Sequence, residues 1–554
     1  MATNDKYDRQ LRLWGAKGQK ALAETTVVLL RATAAGTETL KNLVLPGIGH
    51  FHVLDDVPAI GNVDASSNFF LVSSSSSTRA QVACEHLQEL NPDVRGTYQH
   101  VEDLNDVEDW ISLLRDASSS SNTSKQTLVI ASDLEPPLLE KVSIACHDGN
   151  NKTAMIMVQS YGLMGIVRIQ TPPLALLDPK PTNSPPDLRL VNNFPKFVDL
   201  ADSIDWKSLD DQKHGHMPYP LILYQVAKEW KQMHNGNLPQ SFAEKQDFRK
   251  CIQQKSRDYD KELNFQEAVD NAYLAYTERS VDCLEGEFAT EIDQPTTKLG
   301  QLLDALRKFI QVHGRPPLNG SIPDMTASTD IYVQLQTIYR DQAAKDIQDM
   351  KSYLSSSSAS SMDTSDDTNG SSMLEVVSDD DLASFCANVF AIGRLQTRSL
   401  VDEYHSPPPD ELLEDLMMAT YDPYEVKEHT PLVWYLAFRA CQLFYQDHRR
   451  YPGVDNNDWE KEDVPLLQQC ISKVVEHYRL QDNDLIGEVL AADEDKKVAH
   501  EMARYANAEI HTVASVVGGV ASQEAVKVIT GQYIPVDNTY MYNGIASVGS
   551  VLRF

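Results

Sequence analysis

The stretch TTVVLLRATAAGTETLKNLVLPGIGHFHVLDD, residues 25–56, constrains the fold more than any other. Val27, Val28, Leu29 and Leu30 form a short continuous apolar run, Gly36 through Leu45 carry apolar residues at helical spacing, and His50 to Leu54 run into Asp55 and Asp56. That order of strand, turn, helix and strand is a βαβ outline. In such a unit, glycines at the first turn let backbone amides approach a pyrophosphate, and an acid at the end of the second strand takes the ribose. Here the turn reads Arg31, Ala32, Thr33, Ala34, Ala35, Gly36, so only the last glycine survives. Arg31 and Thr33 put side chains where a tight turn and a close phosphate need none, and the loop is not expected to cradle a triphosphate. A different turn that still holds a dinucleotide is the alternative left open by these residues.

The same grammar continues to about residue 170. TRAQVACEHLQELNP reads as a helix, GTYQHVED, TLVIAS and AMIMVQS as strands, and DLNDVEDWISLLRDA and EPPLLEKVSIACHD as the helices between them. Strands alternating with helices predict a doubly wound, mostly parallel sheet. From 171 a proline-rich exit leads into amphipathic helices up to about 505, among them PLILYQVAKEWKQMH, KLGQLLDALRKFIQVHG and TPLVWYLAFRACQLFYQDH. Each of these three ends in His followed by Gly or Arg and then Pro, which reads as helix-stopping chemistry and not as a ligand set. The tract SSSSASSMDTSDDTNGSS, 355–372, has almost nothing to bury and is expected to be a disordered loop, and the shorter serine tracts at 73–77 and 118–121 loose surface loops. At 506–554 the α/β pattern returns. HTVASVVGGVASQEAVKVITG is a helix whose Ala514, Gly518, Gly519 and Ala521 allow a close neighbour, with Gly531 as its C-cap, and apolar alternation around Asp537-Asn538 and Asn543-Gly544 predicts terminal antiparallel strands. The predicted architecture is one Rossmann-like α/β domain, residues 1–170 and 506–554, split by a mainly helical insertion over 171–505.

Composition narrows the function. With 49 Lys and Arg against 80 Asp and Glu the formal charge is 49 − 80 = −31, which argues against a phosphate-tracking surface for nucleic acid. Seven cysteines without a C-x-x-C pair (Cys84, Cys146, Cys251, Cys283, Cys386, Cys441, Cys470) fit reduced thiols and neither a zinc knuckle nor a disulfide framework. No signal peptide and no apolar run of membrane length is present, so a soluble intracellular protein is expected, with no membrane partner.

The run KYDRQLRLWG, followed by a strand and then GTETLKNLVLPGIGHFHVLDD, resembles the ThiF-like adenylating domains of ubiquitin-like-modifier activating enzymes. An active half in that family has glycines in the loop, aspartates after the second strand, an Asn-Arg-Gln-Phe segment, a lysine opening the next helix and a magnesium-binding aspartate after strand four. Against that pattern this chain keeps Gly36, Asp55 and Asp56, has Ser67-Asn68-Phe69-Phe70 in place of the arginine segment, has Arg79 near the lysine, and places Leu134 after the aspartate candidate Asp133. The resemblance is to an inactive half. Because it is free-standing and carries a long helical insertion, it resembles the regulatory subunits of neddylation (Rub modifier) activating enzymes, the amyloid precursor protein-binding protein one family.

That resemblance implies a heterodimer with a catalytic subunit that binds ATP and magnesium, adenylates the modifier and forms the thioester. This chain would bind no cofactor or metal of its own, with Arg31, Thr33 and Gly36 as a degenerate loop and Asp55, Asp56 and Asp133 as vestiges. Its Arg9, in the Tyr-x-Arg-Gln segment, would reach in trans to the partner's triphosphate as an arginine finger. The residues alone favour a different reading, an amphipathic helix with Tyr7, Leu11 and Trp14 inward and both arginines solvated. Cys251, with basic neighbours, is the one thiol with any claim to nucleophilic chemistry, and thioester transfer is expected to belong to the partner. The modifier and the conjugating enzyme are further expected partners, and cytoplasm and nucleus the expected compartments. Two rivals remain at this point: a NAD(P)-binding oxidoreductase using Asp55 or Asp56 on a ribose, and a non-enzymatic helical adaptor.

Overall fold

The structure is a computed structural model, and it describes residues 6–58, 60–61, 66–71, 77–104, 126–147, 153–172, 174–177, 185–279, 281, 284, 292, 298–360, 377–419, 429–491 and 497–554. The chain divides into two compact units, one made of Met1–Leu176 with Leu395–Phe554 and the other of Leu177–Arg394.

Among the described residues the first unit is built on an eight-stranded sheet of β1 (Thr26–Leu30), β2 (His50–Asp55), β3 (Arg95–His100), β4 (Thr127–Ser132), β5 (Ala154–Tyr161), β6 (Met164–Gln170) and, after the short strands β7 (Leu174–Leu177) and β8 (Ile392–Leu395) that stand outside it, β9 (Thr539–Asn543) and β10 (Val548–Leu552). The sheet order is β10-β9-β6-β5-β4-β1-β2-β3. β3, β2, β1, β4 and β5 run parallel, and β6, β9 and β10 are antiparallel to their neighbours. The two ends of the chain thus complete one sheet, since β9 pairs with β6. β6 is the strand the sequence reading passed over, because the glycines at 162 and 165 broke its apolar pattern. Gly162 sits at φ +58° in the β5–β6 turn, packed so tightly on the ring of Tyr505 that a Cβ would overlap it.

Strand residues alternate between two buried faces. Val27, Leu29, Phe51, Val53, Leu128 and Ile130 pack on one side with α2 (Ala34–Val44), α3 (Arg79–Glu89) and α8 (His511–Thr530), while α1 (Asp8–Glu24) lies against α8. Val28, Leu30, Leu54, Val129, Met155 and Met157 face the other way, against α4 (Pro136–His147), α5 (Pro431–His448), α6 (Trp459–His477) and α7 (Lys497–Tyr505). The expected boundary at 505 is therefore corrected. Residues 395–505 belong to the α/β unit, because α5, α6 and α7 share a core with the sheet, and the inserted unit is shorter, Leu177–Arg394. On α8, Ala514, Gly518 and Ala521 are buried, and a Cβ on Gly518 would lie 2.8 Å from Glu38 Cβ and 2.9 Å from Thr39 N, which is the predicted close approach. Gly519 is not part of that stripe: nothing lies within 4 Å of where its Cβ would stand. Gly531 ends the helix at φ +61°.

The inserted unit is mainly helical and has two cores, one around Leu223, Trp230, Phe248, Phe265 and Tyr339 and one around Leu303, Leu306, Phe309 and Phe385. Its helix Thr329–Ser360 runs into the start of the serine tract expected to be loose, and residues 361–372 of that tract lie outside the described residues. So do residues 72–76 and 105–125, which hold most of the two shorter serine tracts and of the expected helix 103–117. The three histidine-ended helices share a detail: His234, His313 and His448 each lie on an aromatic ring one turn earlier, Trp230, Phe309 and Phe444, at centroid distances of 4.0, 4.2 and 4.3 Å. They finish helices and belong to no metal-capable cluster among the described residues. No helix among the described residues is long and apolar enough to cross a membrane.

Candidate functional site

β4 lies on the opposite side of β1 from β2, so the sheet has a topological switch point there, and ligands of such folds bind in the crevice at the carboxyl ends of these strands. The structure brings Arg31, Thr33, Gly36, Asp55, Asp56 and Asp133 together at that crevice. Arg31 follows β1 at φ +70°, the left-handed conformation that glycine adopts without strain. The nucleotide-type turn is kept, and the new side chain is put to another use. Arg31 Nη1 donates to Glu135 Oε1 and to the Asp133 carbonyl, both at 2.9 Å, and Nη2 donates to Asp56 Oδ2 at 3.1 Å. Burial opposes its charge, but Glu135, Asp56 and Asp133 outweigh that and hold the guanidinium protonated.

Asp55 is fully engaged. It accepts from Ala32 N at 2.6 Å, from Val57 N at 2.8 Å and from Arg79 Nε at 2.8 Å. Arg79, near the family's lysine position, is thus spent on a neighbouring aspartate. Asn68 is equally internal: its Oδ1 accepts from Thr37 Oγ1 at 3.1 Å and from Phe70 N at 2.9 Å, and its Nδ2 donates to the Ala32 carbonyl at 3.3 Å. Thr33 caps α2, its hydroxyl accepting from Gly36 N at 3.3 Å. A Cβ on Gly36 would stand 2.8 Å from Ser132 and 2.9 Å from Leu29, so the surviving glycine is the one required for helix-on-strand packing. Of the fingerprint's three glycine positions, only the packing one holds glycine here, while Arg31 takes the turn position and Thr33 the phosphate-facing one.

Four participants were not foreseen: Glu135, Gln159, Asn507 and Glu509. Glu509 accepts from Ala34 N at 2.8 Å and Ala35 N at 3.1 Å, at the N-terminus of α2. Asn507 Nδ2 donates to both oxygens of Asp133 at 3.3 Å, and Gln159 Nε2 donates to Asp133 Oδ1 and, at 3.0 Å, to Asn507 Oδ1. In the sequence Glu509 reads as an ordinary acid before a helix, and nothing local signals that it serves a helix 475 residues away. A magnesium nucleotide does not fit these residues as they stand: Asp55, the amides of Ala34 and Ala35, and Asp133, the positions at which the resemblance would put ribose, phosphate and metal, each have an internal partner. Of the two ribose candidates, Asp55 has both oxygens engaged, whereas Asp56 gives Oδ2 to Arg31 and its buried Oδ1 accepts no hydrogen bond.

Loss of water and the neighbouring charge of Glu509 push Asp133 up to about 7. Burial likewise raises Glu509, against the pull of the two amides. An acid raised in the folded state loses stability as pH climbs from its unfolded value near 4 to its folded value, because the unfolded chain gives up the proton first. Asp133→Asn is therefore expected to match the parent in urea unfolding at pH values below about 4, where both states hold the proton, and to exceed it by ~1–3 kcal/mol at pH 8. Equal pH profiles for the two proteins would contradict this.

Arg9 lies elsewhere, exposed on α1, and shares no hydrogen bond or ion pair with this cluster or with any other described residue. The cysteines offer no activated thiol among the described residues: burial raises Cys84 to about 11, Cys146 and Cys386 to about 12, and Cys441 and Cys470 above the usual range. Cys251 is raised too, by burial and by Asp247 and Glu229, the opposite of what a nucleophile needs. Cys283 lies outside the described residues.

The ThiF family model matches residues 7–133, the segment from α1 to Asp133. Over its full length the chain is similar to the NEDD8-activating enzyme E1 regulatory subunit of Danio rerio, 33% identical over 561 residues and covering 99% of this chain and 98% of that protein. It is also similar to the NEDD8-activating enzyme E1 regulatory subunit AXR1 of Arabidopsis thaliana, 32% identical with 99% and 96% covered, and to the corresponding subunit of Saccharomyces cerevisiae, 24% identical with 98% of each covered. A ThiF-like fold whose crevice is closed by its own side chains, together with identity above 30% along essentially the whole chain, assigns it: the chain belongs to the family of NEDD8-activating enzyme E1 regulatory subunits.

Proposed function

We propose that this chain forms a heterodimer with a catalytic subunit that holds ATP and magnesium, adenylates NEDD8 and carries the transfer cysteine, while this chain completes the partner's adenylation site with Arg9. The observation that carries the reading is the Arg31 clasp. A guanidinium in the place of the first loop glycine is bonded across the crevice to Asp56 and Glu135, so the arrangement that would admit a nucleotide in this half is replaced by internal ion pairs. A heterodimer of two related folds needs both halves to shape one working site, and only one of them has to keep a phosphate loop. The acidic chain, at −31, would suit basic faces of the modifier or of a conjugating enzyme.

The test is ATP:pyrophosphate exchange with NEDD8 present, comparing this chain alone, the catalytic subunit alone and the two mixed. Exchange is expected only in the mixture. Exchange by this chain alone would mean that the Arg31 to Gly36 turn still serves a nucleotide.

A further inference from the structure

The side chains at 31 and 33 explain why a nucleotide would bind poorly in this crevice, but they leave the amides at the start of α2 to be accounted for. Ala34 and Ala35 still present their N–H groups at the start of an eleven-residue helix, where the helix dipole favours an anion. The anion there is Glu509, bonded to both amides at 2.8 and 3.1 Å. It is not serving its own helix: α8 begins at His511 with Ile510 as N-cap and no side-chain cap. Two residues earlier Asn507 covers Asp133, the acid that follows β4 at the same crevice. The backbone that delivers both side chains is held in an unfavourable shape, with the successive non-glycine residues Ala506 and Asn507 at φ +48° and +56°. It is tied back at one further point, where Gly162 N donates to the Ala508 carbonyl at 2.7 Å.

We propose that residues 506–509 form a permanent internal occupant of the crevice, with the Glu509 carboxylate standing where nucleotide phosphate would bind and the Asn507 amide standing on the aspartate beside it. This rests on the reading that this half holds no nucleotide, and it makes that exclusion active: the anion site persists and is filled from within. Glu509 is then the residue that decides whether α2 can accept an external anion.

The test uses the full chain carrying Glu509→Gly and follows thermal unfolding in sodium formate, sodium pyrophosphate and sodium chloride at matched ionic strength. The variant is expected to melt below the parent, and formate and pyrophosphate are each expected to raise its Tm by about 2–4 °C over chloride while leaving the parent unmoved. A folded variant on which formate acts no differently from chloride overturns the proposal, and formate rescue without pyrophosphate rescue overturns the assignment of that place to phosphate. If Glu509→Gly does not fold, Glu509→Gln decides: it keeps the size and loses the charge, and a Tm equal to the parent's would show that no anion is required there. Magnesium ATP binding by the parent would instead sink the nucleotide-free reading itself, so the two failures are separable.

Discussion

Glu403→Ala is expected to lower the unfolding free energy by ~3–5 kcal/mol, a large share of the 5–15 kcal/mol typical of a folded domain. Glu403 and Arg168 are both fully enclosed, with side-chain exposures of 0% and 1%, and Arg168 Nε donates to Glu403 Oε2 at 2.8 Å. The carboxylate's other oxygen accepts from the hydroxyls of Tyr435 and Tyr478. Two of the guanidinium's four other N–H groups donate to the Ile169 carbonyl at 2.7 Å and the Arg398 carbonyl at 2.9 Å. Burying such a pair is nearly neutral once each lone pair and proton is satisfied, whereas removing one partner leaves an uncompensated charge in the core. The pair also fixes register, because Arg168 is on β6 and Glu403 is on the helix Leu400–His405 that leads into the α5 and α6 layer. The double variant Arg168→Met/Glu403→Leu should recover most of the loss, since well-packed apolar groups substitute for a buried pair. Urea unfolding decides it: a loss under 1 kcal/mol for Glu403→Ala, or a double variant no better than the single, would rule out this account.

That ion pair also marks the limit of what the sequence discloses. The βαβ start was legible because a buried parallel strand is a continuous apolar run, and the return of α/β pattern after residue 505 was legible because small residues on α8 and the turn at Asn543-Gly544 have local causes. The position of α5, α6 and α7 was not. α5 is apolar nearly all round, which says that it is buried without saying against what, and a helix covering a sheet has the same 3.6-residue signature as one inside a separate bundle. The candidate site divides in the same way. The replaced glycines are a local fact, and the turn is where they predicted it. The partners that closed it, Glu135, Asn507 and Glu509, were chosen by the sheet's topology, which brings residues 34 and 509 within a hydrogen bond. No periodicity reports such a contact.

Arg9→Ala is expected to slow ATP:pyrophosphate exchange by the mixed subunits ~10- to 10³-fold while leaving heterodimer formation intact. Arg9 is exposed and has no partner among the described residues, whereas its charged neighbours do: Arg12 pairs with Asp8 at 2.9 Å and Lys6 with Asp93 at 2.7 Å. The element that carries it is pinned from several sides. Asn91 Nδ2 donates to the Tyr7 hydroxyl at 3.1 Å, and just before the kink at Gly15 the chain is held by Gln532 Nε2 on the Trp14 carbonyl at 3.0 Å and the Tyr533 hydroxyl on the Leu13 carbonyl at 3.1 Å. A guanidinium fixed by its helix and unspent within its own chain has the properties of a finger offered to another subunit's phosphates, and its removal should alter chain stability by no more than ~0.5 kcal/mol. Fingers that act on a transferring γ-phosphate contribute ~10³–10⁵ in rate; adenylation attacks the α-phosphate instead, so the expected range is set lower. Arg9→Lys keeps the charge but loses the planar fork and should fall between the two. Unchanged exchange in Arg9→Ala would return the residue to the solvated face of an amphipathic helix, and loss of the heterodimer would make it an interface residue.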